Sequence, residues 1–272
     1  EAFPAARDVF EEVDDALGRR LTKIMWEGPA EDLNLTVNTQ PALMAHSLAM
    51  VRALEREAKV DFADARFFAG HSLGEYSALC AARAIGLAET ARLLNTRGQA
   101  MQSAVPAGEG AMAALLGLDI AGAEKAIAET ETSLGVCEIA NDNAPGQVVI
   151  SGARPRVEAA AEAAKKHGAK MAKLLAVSAP FHCSMMAPAA GAMAKALAAA
   201  KISAPAAPIV ANVTARPVES PSEIRDLLVK QVTGRVRWTE SVDYMAREGG
   251  DKFIEIGTGK VLAGLIKRIA KE

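Results

Sequence analysis

The sequence is short of aromatic residues and has no marked excess of charge of either sign. Aromatic residues make up 4% of the 272-residue chain, too few for the stacking platform that binds single-stranded nucleic acid. The formal net charge of −2 lacks the basic excess that nucleic-acid-binding domains usually show. We therefore expect no nucleic-acid partner.

Cysteine is too scarce for a disulfide scaffold or a zinc site. The three cysteines, Cys80, Cys137 and Cys183, are widely separated along the chain. They indicate a reducing compartment, so we expect a cytoplasmic protein that binds no metal. The chain does not open with a basic segment followed by an apolar run, which predicts no signal peptide.

One long uncharged stretch is present, but it does not predict a membrane span. Residues 174–194 contain no Asp, Glu, Lys or Arg, and their number is close to that of a transmembrane helix. The stretch contains Pro180, His182 and Pro188, and much of its apolar character is alanine, whereas insertion needs a strongly apolar run. We expect a buried strand, a turn and a helix here, and no membrane partner.

Alanine is abundant, with 58 of the 272 residues, and this favours a helix-rich chain. Apolar periodicity and turn signals place the individual elements. Helices are predicted over residues 7–17, 75–84, 88–102, 121–131, 156–166 and 223–231, with a long one opening at Thr39-Gln40-Pro41 and another running from residue 260 to 268. Strands are predicted over residues 64–69, 111–118, 136–140, 147–151, 170–177, 208–213 and 252–256, with a turn over residues 141–146.

The order of these elements predicts two subdomains. Residues 109–176 follow the order β-α-β-β-α-β of a small ferredoxin-like α+β unit. We expect this unit to be inserted into a larger, hydrolase-like α/β subdomain with a parallel central sheet, formed by residues 1–108 and 177–272. The overall class is α/β, with the functional site between the two parts.

A serine between two glycines carries the main chemical signal. Gly70-x-Ser72-x-Gly74 lies between a predicted strand and a predicted helix, the context of a nucleophile on a sharp turn. The free N–H groups at the helix start suit a developing oxyanion. The alternative is a tight turn that holds an incidental serine.

A serine nucleophile needs a base, and the chain has four histidines. His182 follows a buried strand, at the strand end where α/β sites assemble. His46 lies within a helix, and His167 lies at a helix end, where a packing or dipole role is sufficient. His71 adjoins Ser72, so it is an awkward base, but it could line the pocket.

Seven segments in the same order resemble malonyl-CoA:acyl carrier protein transacylases, an acyltransferase domain family. They run over nearly the whole chain, which makes the resemblance far more specific than any single motif. The segments are TQPAL at 39–43, GHSLGEYSAL at 70–79, TRGQAMQ at 96–102, NDNAPGQVVISG at 141–152, APFHC at 179–183, RWTESV at 237–242 and EIGTGKVLAGL at 255–265.

The resemblance implies catalytic roles for two residues. Ser72 matches the nucleophile that becomes acylated, and His182 matches its general base. The family orients this histidine with a main-chain carbonyl, and the matching position falls at Arg237, where the family often has glutamine.

The resemblance also implies substrate-binding roles. Arg97 matches the arginine that holds the free carboxylate of the substrate, a task that suits a planar guanidinium. Leu73 would give its backbone N–H to the oxyanion, and Gln40, Asn143 and His71 would line the pocket.

The implied activity is transfer of a malonyl group from a coenzyme A thioester to the phosphopantetheine thiol of an acyl carrier protein, without a cofactor, in fatty acid biosynthesis. The family begins with a strand and a glutamine that supplies a second oxyanion donor, and nothing of that kind precedes Glu1. A serine hydrolase or thioesterase stays open as an alternative. So does an inactive module that docks a carrier protein. The sequence does not separate malonyl from methylmalonyl substrates.

Overall fold

A computed structural model describes residues 3–270, except for the side chain of residue 63, and shows an α/β architecture. The helices are α1 Pro4–Leu17, α2 Leu21–Glu27, α3 Ala30–Asn34, α4 Thr36–Glu57, α5 Gly74–Ala81, α6 Leu87–Ser103, α7 Ile120–Ala128, α8 Arg154–Lys166, α9 Ala187–Ala199, α10 Pro221–Thr233, α11 Trp238–Arg247 and α12 Val261–Ile269. The strands are β1 Gly110–Leu116, β2 Cys137–Ala144, β3 Gln147–Ala153, β4 Met171–Leu174, β5 Ile209–Ala211, β6 Arg216–Val218 and β7 Val236–Arg237.

The small unit forms as predicted. Its elements follow the order β1-α7-β2-β3-α8-β4, and the strands lie in the order β4-β1-β3-β2, with antiparallel pairing throughout. This is the arrangement of a ferredoxin-like fold. Alternate residues of β1 and β3 point at helices α7 and α8, and the core between them includes Leu115, Ile150 and Val157.

The small unit is joined to the rest of the molecule through its sheet. Strand β7 extends the sheet next to β2 and runs parallel to it, with Asn141 opposite Val236 and Asp142 opposite Arg237. The five-stranded sheet is therefore mixed. This pairing brings the end of β2 close to the segment that follows helix α10.

The larger part is mainly helical around helix α5. Helices α1, α4, α6, α9 and α10 contribute Val9, Leu48, Leu94, Met193 and Leu228 to one shared core. Of the parallel central sheet that we expect in this subdomain, the segments predicted as strands 64–69 and 208–213 form one parallel bridge, between Phe68 and Ile209. Two backbone hydrogen bonds of 2.9 Å support it, from Phe68 N to Pro208 O and from Val210 N to Phe68 O.

Several predicted element boundaries are wrong. Residues 252–256, which we expected to form a strand, are not paired in a strand. Helix α4 begins at Thr36, so Pro41 lies inside the helix and not in its first turn. The turn predicted over residues 141–146 is shorter, because β2 continues to Ala144. Among residues 3–270, none of the helices combines the length and the apolar character needed to cross a membrane.

Candidate active site

Ser72 lies on a strained turn that glycine at position 70 permits. Its φ angle of +53° is in the left-handed region, which non-glycine residues rarely adopt, and helix α5 begins two residues later. A Cβ atom on Gly70 would lie 1.9 Å from the Gly74 carbonyl oxygen. The chain can therefore turn this sharply only with glycine at position 70, and the turn pushes the serine hydroxyl clear of the backbone.

The structure brings Ser72 and His182 together, although 110 positions separate them in the sequence. Ser72 Oγ lies 2.8 Å from His182 Nε2. His182 Nδ1 lies 2.9 Å from the main-chain carbonyl oxygen of Gln231, which can only accept a hydrogen bond. The proton is therefore on Nδ1, Nε2 is free to accept, and the Ser72 hydroxyl donates to it.

The residue that orients His182 is Gln231. The prediction that Arg237 has this role is wrong. The Arg237 carbonyl accepts a hydrogen bond from Ser241 Oγ at 2.8 Å instead, because Arg237 immediately precedes helix α11. The Arg237 side chain pairs with Glu240. The glutamine that the resemblance calls for is thus present, but it lies six residues earlier, near the end of helix α10.

Arg97 lies beside the Ser72–His182 pair and is 1% exposed. One terminal nitrogen donates to Gln40 Oε1 at 2.7 Å, and the other donates to Gln231 Oε1 at 2.9 Å and to Ser72 Oγ at 3.2 Å. Gly98 permits the contact with Gln40, because a Cβ there would lie 2.5 Å from the Val37 Cα of helix α4. A buried cation is thus placed against the nucleophile.

Burial and the charge of Arg97 set the protonation state of the base. Both lower the pKa of His182, to about 3, with burial as the larger cause. The imidazole is therefore neutral near neutral pH, as a general base must be. Burial also lowers the pKa of Arg97, but a guanidinium keeps its proton at physiological pH.

Three further residues predicted to bind substrate, His71, Leu73 and Asn143, line a cavity next to the Ser72 turn. His71 Nε2 lies 2.8 Å from Asn143 Oδ1, and the His71 ring packs edge-on against Trp238 with centroids 5.6 Å apart. His71, Leu73 and Asn143 line a largely apolar cavity of about 590 Å³. Burial lowers the pKa of His71, so this ring is also neutral. It makes no hydrogen bond to Ser72 Oγ, so it is not the base.

The Leu73 N–H is placed as an oxyanion donor must be. It follows Ser72 directly and opens helix α5, and it makes no hydrogen bond within residues 3–270. A free N–H at a helix start carries partial positive charge. It can therefore stabilise an oxygen anion that forms on an acyl group attached to Ser72.

Sequence reasoning missed three residues that connect the site. Asn212 Oδ1 accepts from the Ser72 N–H at 2.8 Å, and Asn212 Nδ2 donates to the Gly70 carbonyl at 2.8 Å. Gln231 Nε2 donates to the Ser72 carbonyl at 2.9 Å and to Glu75 Oε2 at 2.7 Å. Glu75 lies inside the quoted GHSLGEYSAL segment, so the resemblance could have indicated it. No local sequence pattern indicated that Asn212 or Gln231 belongs to the site.

The other two histidines lie outside the site. His167 caps helix α8 and bonds to Glu129 at 2.7 Å. His46 lies within helix α4, as expected. Among residues 3–270, no group of three or more His, Cys, Asp or Glu side chains is arranged to hold a metal ion. The arrangement as a whole suits acyl transfer through a serine.

Comparisons with known proteins agree with this chemistry. Residues 2–272 match the family model of the acyl transferase domain. The chain is 46% identical to the malonyl CoA-acyl carrier protein transacylase of Escherichia coli K12, covering 98% of this chain and 85% of that protein. It is 44% identical to the protein of the same name from Bacillus subtilis, over 99% of this chain and 84% of that protein.

Solved structures agree as well. An acyl-carrier-protein-S-malonyltransferase from Bartonella henselae superposes with a TM-score of 0.96 at 53% identity, covering 99% of this chain and 86% of that one. A malonyl-transacylase in complex with a type II polyketide synthase acyl carrier protein superposes with a TM-score of 0.94 at 43% identity, over 98% and 85% of the two chains. The chain therefore belongs to the acyl transferase domain family, and its resemblance to malonyl-CoA:acyl carrier protein transacylases is confirmed.

Proposed function

We propose that the protein transfers a malonyl group from malonyl-CoA to the phosphopantetheine thiol of an acyl carrier protein, through a malonyl ester on Ser72. The observation that carries the proposal is the 2.8 Å contact between Ser72 Oγ and a neutral His182 Nε2, next to a buried Arg97. The names of the relatives above support the same activity. Fatty acid biosynthesis is the corresponding process.

In the first half-reaction, Ser72 Oγ attacks the thioester carbonyl and its proton passes to His182 Nε2. The carbonyl oxygen becomes an anion that the Leu73 N–H stabilises. When this intermediate collapses, the carbon–sulfur bond breaks and the coenzyme A sulfur takes the proton from His182. The products are free coenzyme A and malonyl-Ser72.

In the second half-reaction, the phosphopantetheine thiol takes the place of coenzyme A. Its proton passes to His182 Nε2 as the sulfur attacks the ester carbonyl. The carbon–oxygen bond to Ser72 then breaks, and His182 returns the proton to Oγ. No step needs a metal or an organic cofactor, so we propose none.

Arg97 accounts for the choice of a malonyl group over an acetyl group in this proposal. Each terminal nitrogen carries two N–H groups, so Arg97 can keep its bonds to Gln40 and Gln231 and give one N–H from each nitrogen, including the one that now bonds Ser72 Oγ, to the two oxygens of the malonyl carboxylate. An acetyl group has no carboxylate to offer. Gln40 and Gln231 hold the guanidinium in place for this contact.

The first test is intact-protein mass spectrometry after mixing with malonyl-CoA. A malonyl adduct that persists until an acyl carrier protein is added, and that is absent from Ser72→Ala, supports transfer. Rapid release of free malonate without an acceptor would identify a hydrolase. Binding of the carrier protein with no adduct on Ser72 would identify a docking module.

We also propose the subdomain limits and the setting of the protein. Strand β1 begins at residue 110 and β4 ends at residue 174, which supports a small subdomain over 109–176 within a larger one of 1–108 and 177–272. The three buried free cysteines support a reducing compartment such as the cytoplasm. The neighbouring structure with its carrier protein supports a carrier protein as the partner.

A further inference from the structure

Glu75 is a buried carboxylate that the proposed reaction does not use. It lies in the first turn of helix α5 and is 2% exposed. Its Oε2 atom accepts a hydrogen bond from Gln231 Nε2 at 2.7 Å and another from the Asn212 N–H at 3.2 Å. A buried carboxylate is costly to keep, so a task that needs its acceptor character would explain it.

Gln231, the hydrogen-bond partner of Glu75, also bonds to His182, Arg97 and Ser72. Its main-chain oxygen accepts from His182 Nδ1, and its side-chain oxygen accepts from Arg97. Its side-chain nitrogen donates to the Ser72 carbonyl and to Glu75. The side chain is fully buried, so no water competes for these bonds.

The two ends of the Gln231 amide are chemically different, and its neighbours distinguish them. A guanidinium only donates, so Arg97 requires the amide oxygen. An ionised carboxylate only accepts, so Glu75 requires the amide nitrogen. If the amide turned over, its NH₂ group would face the N–H groups of Arg97 and the bond between them would be lost.

We propose that Glu75 is a positioning residue, which locks the orientation of the Gln231 amide and thereby aligns Arg97 and His182 with Ser72. It acts through Gln231 and does not touch the substrate. The proposal rests on the proposed function, because alignment of Arg97 matters only for a substrate that carries a carboxylate.

The charges around Glu75 support this role. Burial raises the pKa of Glu75 to about 7, while the bond from Gln231, the Asn212 N–H and the charge of Arg97 each lower it. The other titratable neighbour is Tyr76 of the same helix, whose pKa burial raises, so it stays neutral. The carboxylate therefore gains its charge near neutral pH, and the lock should tighten as the pH rises through 7.

Glu75→Gln tests the proposal, because it keeps the size of the side chain but gives it an NH₂ group, so that only Arg97 and the Ser72 carbonyl still select the orientation of the Gln231 amide. We expect the rate of Ser72 acylation by malonyl-CoA to fall about 10- to 100-fold, the effect of losing a charged hydrogen bond. Acetyl-CoA, which needs only the His182 alignment, should lose less. The wild-type rate should fall below pH 7 to a plateau, and this step should be absent from Glu75→Gln.

Glu89→Gln is the matched control, because Glu89 also lies in the first turn of a helix but is partly exposed and pairs with Arg92. Its rates should equal those of wild type. Equal losses of malonyl and acetyl transfer in Glu75→Gln, with the pH step retained, would assign Glu75 a structural role and overturn the proposal. So would unchanged rates.

Two further observations keep the test decisive. If Glu75→Gln does not fold, the pH dependence of wild-type Ser72 acylation decides alone. A fall below pH 7 to a plateau supports the proposal, and a constant rate from pH 5.5 to 8.5 overturns it. The proposed function is judged separately, by whether wild-type Ser72 takes up a malonyl group at all. Its failure is therefore distinguishable from that of Glu75.

Discussion

The main-chain carbonyl of Gln231, and not a carboxylate, accepts the Nδ1–H of His182 at 2.9 Å. In a Ser-His-Asp triad the carboxylate stabilises the imidazolium that forms during the reaction. A neutral carbonyl fixes the same tautomer with much less stabilisation of that charge. Burial and the charge of the nearby Arg97 therefore lower the pKa of His182 by more than the bond to the Gln231 carbonyl raises it.

This relationship predicts the pH dependence of Ser72 acylation. Because the pKa of His182 is lowered to about 3, the base stays neutral well below pH 6.5, where an ordinary histidine becomes protonated. Stopped-flow or quenched-flow acylation should therefore show no tenfold loss per pH unit between pH 6.5 and 5, apart from the bounded step assigned to Glu75. A continuous tenfold loss per unit across this range would contradict the neutral state of His182.

Arg97→Ala should change the choice of acyl group. The malonyl carboxylate loses a charged, two-bonded partner worth about 1.5–3 kcal/mol, so acylation by malonyl-CoA should fall about 10- to 100-fold more than acylation by acetyl-CoA. Arg92→Ala is the control, because Arg92 lies on the same helix but is 54% exposed and pairs with Glu89. Competition between the two thioesters, read by intact mass, measures the ratio. An unchanged ratio of malonyl to acetyl adduct would show that Arg97 does not select the acyl group.

The two glycines of the Gly70-x-Ser72-x-Gly74 motif should respond differently to alanine. A Cβ on Gly70 would lie 1.9 Å from a backbone oxygen, whereas a Cβ on Gly74 would meet nothing within 4 Å. Gly70→Ala should therefore distort the turn, lower the thermal unfolding temperature by several degrees and abolish acylation of Ser72. Gly74→Ala should keep wild-type stability within about 1 kcal/mol. Similar losses in both variants would contradict the close approach seen at Gly70.

The sequence was enough to predict the ferredoxin-like unit, because its strands and helices are separated by clear turn signals and each has a consistent period. It was also enough to pair Ser72 with His182, through the resemblance. It was not enough to place Gln231, since the carbonyl that orients His182 carries no side-chain signature and was assigned six residues too late. The strand predicted over residues 252–256 is wrong for another reason: a strand forms only where a neighbouring strand pairs with it, which the local sequence does not show, and Ile254 in this segment is 62% exposed.

The ionisation of Glu75 predicts that the free energy of unfolding decreases over the pH range in which Arg97 and His182 become better aligned with Ser72. Burial raises the pKa of this carboxyl from about 4.5 to about 7, so between these values the folded protein binds a proton that the unfolded chain has lost. The contribution of Glu75 to stability is therefore fully present below pH 4.5 and is lost as the pH rises through 7. Glu75→Gln cannot ionise, so its stability relative to wild type should improve by about 3 kcal/mol, at most, between pH 4.5 and 8.5.

Urea unfolding of both proteins at pH 4.5 and 8.5 measures this difference, and any effect of the substitution that does not depend on pH cancels between the two values. Glu89→Gln, which removes a partly exposed carboxylate, is the control in the same measurement. If the free-energy difference between Glu75→Gln and wild type is the same at both pH values, the buried carboxyl does not titrate near 7. A step in the acylation rate near pH 7 would then come from neither Glu75 nor His182, because burial keeps His182 neutral throughout that range.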